Sequence, residues 1–361
     1  MVNIKDVRTS NASFRESKEP LTAVFVGATS GIGMGTLKQF AKHAYAPKVY
    51  IVGRSKHAAN ALLDELTSSN PQATFLFLET EISLMKKVDE VCEEINAKEK
   101  KLDLLFMSPG YLSFEGRNGK KFWLKYESML TLLESSEGID IPHALRYYTR
   151  LRFTYNLLPI LNASPSPRVV AILAGGKEAE INFNDLEFRN NFNGFKAAGN
   201  GATQTTLAFE ELAKTNPNII FIHKFPGFVA TGVIDKLMGT ASGLYTIPAT
   251  IARWVLVPII QLFSTSIDVA GERGLFVATS ARYPPAQPKK EISGVVLPKR
   301  VEIAKSSIVT EGKGNGVYTL DENDESTPNA PVMPGYRQDG KGTVVWEDTQ
   351  AVWDRALGRS A

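Results

Sequence analysis

The sequence predicts an α/β fold: a doubly wound parallel sheet with helices on both faces. Three observations support this prediction. From residue 22 onward, short runs rich in β-branched and aromatic residues alternate with stretches of helical periodicity. These runs are apolar at nearly every position, as in strands that are buried on both faces. A glycine-rich turn at residues 27–33 joins the first run to the first helical stretch.

The elements follow from local composition. The strand candidates are TAVFV at 22–26, KVYIV at 48–52, TFLFL at 74–78, LDLLFM at 102–107, RVVAIL at 168–173 and IIFIHK at 219–224. A seventh strand is expected near residues 294–298. Apolar residues at helical spacing predict helices at 33–43, 55–69, 83–97, 144–161 and 203–214. There is no internal repeat.

Composition narrows the classes of function. The 361 residues are 43% hydrophobic and 22% charged, which excludes disorder or a fibrous repeat across the whole chain. The formal charge of +3 gives no footprint for nucleic acid. Cys92 is the one cysteine, so no intrachain disulfide forms, and the composition suits a reducing compartment such as the cytoplasm. The most apolar run, residues 247–263, is interrupted by polar residues and is too short for a membrane span.

The turn after the first expected strand has the composition of a phosphate-binding loop. Gly27 allows a tight turn, Gly31 lets the backbone approach a pyrophosphate, and Gly33 lets helix and strand pack closely. The helix N-terminus adds unpaired N–H groups and a partial positive charge. A glycine-rich loop without a ligand is the alternative, but the strand before the turn and the helix after it favour phosphate binding. The candidate residues are Gly27, Thr29, Ser30, Gly31, Ile32 and Gly33.

The residue after the second expected strand indicates which coenzyme is bound. Folds that bind NAD carry an acidic residue about 20 residues beyond the glycine turn, where it binds the adenosine ribose. Here Arg54 stands at that place, with Lys56 nearby and no carboxylate. A guanidinium would bind a 2′-phosphate through paired hydrogen bonds, which favours NADP over NAD. An exposed loop arginine without a ligand is the alternative.

These motifs resemble those of the short-chain dehydrogenase/reductase family, and the resemblance covers about residues 20 to 282. It rests on the glycine spacing of residues 27–33, on Arg54, and on Glu81, which stands where the family usually has aspartate. The segment 226–231, PGFVAT, is similar to the family's Pro-Gly-x-Val-x-Thr. The wider pattern, including LRYYTRLRF and GVYTLDENDE, looks most like fungal members of specialised metabolism.

The resemblance implies further contacts and an assembly. The backbone of the PGFVAT segment would hold the nicotinamide carboxamide, and its threonine would touch a cofactor phosphate. Residues 237–263 would form a lid over an apolar substrate. Subunits would associate through the helices at 144–161 and 203–214 to give a homo-oligomer. The cofactor-binding candidates implied in this way are Glu81, Gly110, Pro226, Gly227, Val229 and Thr231.

The catalytic residues of the family do not carry over. After the fourth strand the family has Asn-Asn-Ala-Gly, whereas residues 107–110 are Met-Ser-Pro-Gly. The family's helix asparagine falls on Arg146 and its strand-five serine on Ala174. Its Tyr-xxx-Lys falls within residues 194–200, and no Tyr-xxx-Lys exists anywhere in the chain. Because the tyrosine exchanges a proton and the serine steadies the developing alkoxide, carbonyl reduction would need other groups in their place.

Three residues are candidate catalytic groups: Tyr147, Tyr148 and Lys196. Tyr148 lies four positions before Arg152, so on a helix this cation would lower the pKa of the phenol. Packing or a subunit contact is the alternative for the tyrosines, and a solvated loop charge is the alternative for Lys196. The four histidines show no metal-ligand spacing, so no metal site is expected.

The chain is therefore expected to have three parts. Residues 1–20 form an N-terminal extension, 21–283 a dinucleotide-binding and catalytic domain, and 284–361 a polar, peripheral segment over the core. Within that segment, TVVWEDTQAVWDRAL at 343–357 is expected to form a short strand and then a helix. The expected function is NADP-dependent oxidation or reduction of an apolar small molecule in secondary metabolism. The alternative is a related protein without net redox activity: a cyclase, an isomerase or a cofactor-binding partner.

Overall fold

The fold is centred on a parallel sheet. The computed structural model describes residues 2–110, 134–190, 194–230, 264–291, 293–328 and 330–359. Seven strands of these residues form one sheet in the order β3-β2-β1-β4-β5-β6-β9. The order reverses between β1 and β4, as in a Rossmann-like doubly wound sheet, so the predicted fold class is confirmed. The strands are β1 (Thr22–Val26), β2 (Lys48–Gly53), β3 (Thr74–Glu79), β4 (Leu104–Met107), β5 (Arg168–Ile172), β6 (Ile220–Lys224) and β9 (Val317–Leu320), beside a hairpin of β7 (Val309–Thr310) and β8 (Lys313–Gly314).

The six strands predicted before residue 225 are all confirmed, but the predicted seventh is wrong. Near residues 294–298 the structure has only an isolated bridge between Ser280 and Val295. Gly294 has a φ of +115°, which a regular strand does not adopt. The seventh strand is β9, which pairs in parallel with β6. Its four residues are all buried, so a run this short was sufficient to extend the sheet.

Helices cover both faces of the sheet. Against one face pack α1 (Ile4–Phe14), α2 (Gly31–His43), α3 (Lys56–Ser69) and α8 (Ile267–Thr279). Against the other pack α4 (Met85–Lys98), α6 (Thr149–Ala163), α7 (Gly194–Thr215) and α10 (Lys341–Ala356). Short helices α5 (Ile141–His143) and α9 (Met333–Gln338) and a π turn (Ala144–Tyr148) complete the described elements. In the described ranges no helix is long and apolar enough to cross a membrane, and residues 247–263 lie outside those ranges.

Helix α7 begins nine residues before the predicted start at residue 203. Gly199 and Gly201 lower the helix propensity of this segment, which explains the late prediction. Both glycines have a packing reason. A Cβ at Gly199 would lie 2.8 Å from the side chain of Ala179, and one at Gly201 would lie 2.5 Å from Cδ of Arg146. The first turns of α7 therefore approach neighbouring elements more closely than larger residues allow.

Helix α2, which begins at the glycine turn, is held by close contact with α8. A Cβ at Gly35 would lie 2.6 Å from the carbonyl oxygen of Ile267, and one at Gly271 would lie 2.4 Å from the backbone of Gly35. A Cβ at Gly274 would lie 2.1 Å from Oγ1 of Thr36. The two helices therefore pack almost backbone to backbone, which fixes the direction in which the N-terminus of α2 points.

The segment after residue 283 contributes to the core. It supplies β9 at the edge of the sheet and α10 on one face. The expected short strand at the start of residues 343–357 is wrong, because residues 341–356 form one helix. Val345, Thr349, Val352 and Trp353 are its buried residues, and they recur at helical spacing. This spacing outweighs the strand preference of the adjacent valines. The division of the chain at residue 283 stays a prediction.

Helix α10 covers the outer side of α6 and α7. The hydroxyls of Thr349 and Tyr147 lie 2.6 Å apart. The guanidinium of Arg152 lies 5.0 Å from the ring centroid of Trp353, whose side chain is fully buried. Tyr155 also contacts Trp353, with ring centroids 5.9 Å apart. Helices α6 and α7 are the pair through which the resemblance implies subunit association. Since α10 occupies part of that surface, a homo-oligomer of this kind stays a prediction.

A buried carboxylate fixes the turn after β9 to the core. Asp324 is fully buried and accepts hydrogen bonds from Lys224 of β6 and Arg273 of α8. Its carbonyl oxygen accepts a hydrogen bond of 3.2 Å from the hydroxyl of Tyr283. Asp324 has a φ of +66°, an unusual conformation for a residue other than glycine, which the surrounding contacts maintain. The C-terminal segment is therefore bound to both a strand and a helix by one side chain.

We expect Asp324→Asn to lower the free energy of unfolding by about 3–5 kcal/mol, because it leaves buried cations without their counter-charge. Chemical denaturation followed by circular dichroism would measure this. Glu302→Gln is the control, since this exposed glutamate has no side-chain partner among the described residues, and we expect a change of no more than about 0.5 kcal/mol. Equal stability of the two variants would contradict the proposed importance of the buried ion pairs.

Candidate functional site

The glycine turn lies where the strand order reverses, against the end of β4. Gly27 and Gly31 have φ values of +74° and +58°, which glycine adopts without strain. A Cβ at Gly27 would lie 2.8 Å from the backbone of Pro109, and one at Gly33 would lie 2.2 Å from Oγ of Ser108. The hydroxyl of Ser108 donates to the carbonyl of Gly27 at 3.2 Å. Larger residues at these glycines would therefore displace the turn from β4.

The same turn leaves its backbone N–H groups available to an anion. Ser30 occupies the N-cap position of α2 in an extended conformation, yet its side chain makes no capping hydrogen bond. The first N–H groups of the helix, which include that of Ile32, thus lack a side-chain acceptor in the described chain. Thr29 is partly exposed beside them. This is a cradle that fits the paired phosphates of a dinucleotide.

Arg54 lies at the end of β2 with its side chain exposed. Within the described part of the chain it makes no hydrogen bond or ion pair, whereas the neighbouring Ser55 caps α3 by accepting from the N–H of Ala58 at 3.2 Å. Glu81 is exposed at the next strand end, where its carboxylate accepts from the hydroxyl of Ser83 at 2.9 Å. Arg54 is therefore a cation without a partner at the edge where an adenosine 2′-phosphate would lie.

Arg150, for which the sequence predicted no role, fixes the end of β4 through hydrogen bonds to its backbone carbonyls. Its side chain is fully buried, and it donates to the carbonyls of Met107 at 2.9 Å, Leu145 at 3.2 Å and Pro109. Burial lowers the pKa of Arg150 to about 9, with a smaller contribution from the positive charge of Arg146. No spacing motif reveals this role, because the acceptors are backbone carbonyls.

Gly110, the one residue of the family's Asn-Asn-Ala-Gly that this chain retains, is exposed and has a φ of +144°. Among the described residues, the nearest atom to a Cβ built on Gly110 is Nη2 of Arg150, at 3.9 Å. Within the described ranges, Gly110 therefore lies exposed at the end of β4, with a guanidinium close to it.

Arg146, at the position of the family's helix asparagine, lies inside the π turn that precedes α6. Its Nη1 donates to the carbonyl of Ala197, 3.0 Å away in the first turns of α7. π turns within helices are frequent at functional sites, since they redirect side chains. Arg146 thus ties α7 to the π turn, at the edge of the sheet where the glycine turn also lies.

The end of β5 is held by a buried hydrogen-bond chain. The N–H of Ala174 donates to Nε2 of His223 at 3.1 Å, so Nδ1 carries the proton and faces the hydroxyl of Thr206 at 2.8 Å. Thr206 in turn donates to Glu178 at 2.6 Å. Burial, and then the charge of Arg150, lower the pKa of His223 to about 3, while burial raises the pKa of Glu178. The chain ends on a backbone N–H, so it positions the loop after β5 and does not relay a proton.

Tyr147 and Tyr148 are both fully buried beneath α10. The Tyr147 hydroxyl contacts Thr349, and the Tyr148 hydroxyl has no hydrogen-bond partner in the described chain. The expectation that Arg152 lowers the phenol pKa of Tyr148 is wrong. Burial, followed by the charge of Glu187, raises the pKa of Tyr148, and Arg152 instead pairs with Asp89 at 2.6 Å. A buried phenol with a raised pKa is poorly suited to exchange protons with a substrate, and the catalytic assignment of both tyrosines stays a prediction.

The remaining predicted residues lie along the same edge. Lys196 is exposed in the first turn of α7, whose N-terminus follows β5. Pro226 and Gly227 follow β6, and a Cβ at Gly227 would lie 2.9 Å from Cβ of Glu322. Val229 forms a parallel bridge with Thr265. Thr231 and the lid segment 237–263 lie outside the described residues. In the part of the chain that is described, no group of three or more His, Cys, Asp or Glu residues is arranged to hold a metal ion.

The site can now be compared with known proteins. The sequence model for short chain dehydrogenases matches residues 21–125. "Oxidoreductase AN1596" of Emericella nidulans is 38% identical over 99% of this chain and all of that protein. "NmrA-like family domain-containing oxidoreductase notO" of an Aspergillus species is 34% identical and covers 100% of this chain and 98% of its own. Among solved structures, levodione reductase has a TM-score of 0.53 at 15% identity, covers 77% of this chain and 95% of its own, and supports the fold.

We expect Tyr148→Phe to leave the free energy of unfolding unchanged or to raise it by up to about 1 kcal/mol, because the lost hydroxyl is buried without a partner. Tyr147→Phe is the matched control, and loss of its hydrogen bond to Thr349 should lower the free energy by about 1 kcal/mol. Thermal or chemical unfolding of both variants measures the difference. A larger loss for Tyr148→Phe than for Tyr147→Phe would show that the Tyr148 hydroxyl is satisfied after all.

Proposed function

The chain belongs to the short-chain dehydrogenase/reductase family, and on this basis we propose that it is an NADP-dependent oxidoreductase that acts on a carbonyl or alcohol group of an apolar small molecule. One observation carries the proposal: the glycine turn offers uncapped N–H groups to a pyrophosphate, while Arg54, at the adjacent strand end, has no partner among the described residues. Together they provide donors for a pyrophosphate and a cation for a 2′-phosphate on one edge of the sheet.

The residues present fit a dinucleotide along the whole edge. The turn at residues 27–33 would hold the pyrophosphate, with hydroxyls from Thr29 and Ser30 beside the backbone donors. Arg54 would bind the 2′-phosphate of the adenosine half. The nicotinamide half would lie toward β4, β5 and β6, near Gly110 and the segment that begins at Pro226. A solved 3-oxoacyl (acyl-carrier-protein) reductase with NADP bound, at 16% identity and a TM-score of 0.50, shares the fold.

The chemistry divides between coenzyme and protein. When bound, the reduced nicotinamide supplies a hydride to a carbonyl carbon, and the oxidised coenzyme is the second product. The carbonyl oxygen then needs one proton to become an alcohol. Among Tyr147, Tyr148 and Lys196, only Lys196 is exposed, and we therefore favour its ammonium group as the proton source. Its place in the first turn of α7 corresponds to the region where the family's Tyr-xxx-Lys falls.

The biological setting is the least supported part of the proposal. Several relatives are fungal oxidoreductases, and the resemblance to fungal members of specialised metabolism supports a role in a secondary metabolite pathway. The single cysteine, which is buried, is consistent with a cytoplasmic location. An apolar substrate is proposed from the apolar lid expected at residues 237–263.

A non-redox relative, such as a cyclase or isomerase, is the second candidate, and the absence of Tyr-xxx-Lys favours it. Incubation of the purified protein with NADPH and a panel of ketones distinguishes the two. Oxidation of NADPH supports the oxidoreductase. Tight binding of NADPH without its oxidation by any ketone supports the second candidate.

We expect Arg54→Asp to weaken binding of NADPH by about 10- to 100-fold, because a charge-assisted contact with the 2′-phosphate is lost and a repulsion is added. Binding of NADH should change much less, and calorimetric titration measures both. Arg300→Asp is the control, since Arg300 is an exposed arginine outside the sheet with no partner in the described chain. Equal losses for NADPH and NADH would contradict the assignment of Arg54.

We expect Lys196→Met to lower kcat by about 100- to 10,000-fold, the usual contribution of a general acid, while the Kd of NADPH stays unchanged. Steady-state kinetics on any ketone that the wild-type protein reduces gives the first quantity, and fluorescence titration the second. Lys177→Met removes another exposed lysine from the same edge of the sheet and should leave both unchanged. Normal turnover of the Lys196 variant would exclude it as the proton donor.

A further inference from the structure

Among the residues that the structure describes, Arg150 is a buried cation without a counter-charge. Two other buried arginines are neutralised, since Arg152 pairs with Asp89 and Arg282 with Glu325. The described partners of Arg150 are all carbonyl oxygens. Arg168 is similar, but it lies at the amino end of β5, at the opposite edge of the sheet from the glycine turn. Arg150 therefore brings a net positive charge to the edge that carries the proposed coenzyme site.

The guanidinium of Arg150 also has N–H groups that make no hydrogen bond within the described chain. Its three hydrogen bonds do not use all the N–H groups that an arginine carries. Nη2 lies 3.9 Å from the position of a Cβ on Gly110, and Gly110 has none. Gly110 is exposed whereas Arg150 is fully buried, so the cation lies beneath an exposed glycine at the end of β4.

The strand order places Gly110 near the expected path of the coenzyme. With the adenosine at β2 and the pyrophosphate at the reversal between β1 and β4, the nicotinamide half would run over β4 toward β5 and β6. We propose that Arg150 is a cofactor-binding residue that makes the site prefer the reduced nicotinamide coenzyme over the oxidised one. This inference rests on the function proposed above and adds to it the redox state of the coenzyme that the site prefers.

The physical reason is the charge of the ring. Oxidised nicotinamide is positively charged and reduced nicotinamide is neutral, so a nearby cation repels the first and not the second. At an effective dielectric constant of about 20 and a distance of several ångströms, this repulsion is sufficient for a difference in Kd of about tenfold or more. The neutral state of His223, which the charge of Arg150 helps to maintain, is consistent with a positive potential in this region. The site would therefore hold NADPH more tightly than NADP⁺.

Calorimetric titration of the full-length protein with NADPH and with NADP⁺, in the absence of substrate, tests the proposal without reference to activity. For the wild-type protein we expect NADPH to bind about tenfold more tightly than NADP⁺. Arg150→Met should bring the two Kd values within about twofold of each other, whereas Arg150→Lys, which keeps the charge, should retain most of the difference. Arg152→Met is the matched control, because it removes a buried arginine from the same helix whose charge is already paired. It should leave the ratio unchanged.

The outcomes separate the two proposals. Binding of neither coenzyme would contradict the proposed function and this inference together. Equal affinities in the wild-type protein, or tighter binding of NADP⁺, would overturn the inference alone and would do so even where Arg150→Met does not fold. A ratio that survives in a folded Arg150→Met protein would also overturn it. A wild-type preference for NADPH that disappears only in the Arg150→Met variant would support it.

Discussion

The contact between the glycine turn and the end of β4 is the constraint on which the site depends. Gly27 and Gly33 leave no space for side chains because Pro109 and Ser108 occupy it. The hydroxyl of Ser108 donates a hydrogen bond to the carbonyl of Gly27. Arg150 donates to the carbonyl of Met107, the residue before Ser108. Packing and hydrogen bonds therefore hold the backbone that would bind a pyrophosphate in place, and such preorganisation reduces the entropic cost of binding.

This constraint explains how the chain differs from the common pattern of its family. Where the family has Asn-Asn-Ala-Gly, residues 107–110 of this chain are Met-Ser-Pro-Gly, and the buried Arg150 donates to the carbonyls of Met107 and Pro109. Arg146 makes a comparable bond to Ala197, and His223 holds the N–H of Ala174. The ends of β4, β5 and α7 are thus fixed by buried cationic and imidazole groups.

Much of the fold could be predicted from the sequence, because the buried parallel strands are apolar runs and the glycine turn has a distinctive spacing. Gly27, Gly33 and Arg54 were predicted for the same reason: each has a local signal. Arg150 and His223 have no such signal, since their roles depend on partners that lie distant in sequence. Helix α10 was predicted only in part, because its adjacent valines favour a strand. Packing of its buried residues against α6 and α7 favours the helix instead. The strand β9 is short, and its pairing with β6 is likewise a long-range property.

The aromatic cover of α6 and α7 comes from a part of the chain that is synthesised more than a hundred residues later. Until Trp346 and Trp353 emerge from the ribosome, Tyr147 and Tyr155 lack the helix that packs over them. During translation this surface is apolar and unprotected, a state in which nascent chains bind chaperones or aggregate. A nonsense or frameshift change between residues 325 and 340 would therefore keep every strand of the sheet and the buried Asp324, and would still leave a chain prone to misassembly.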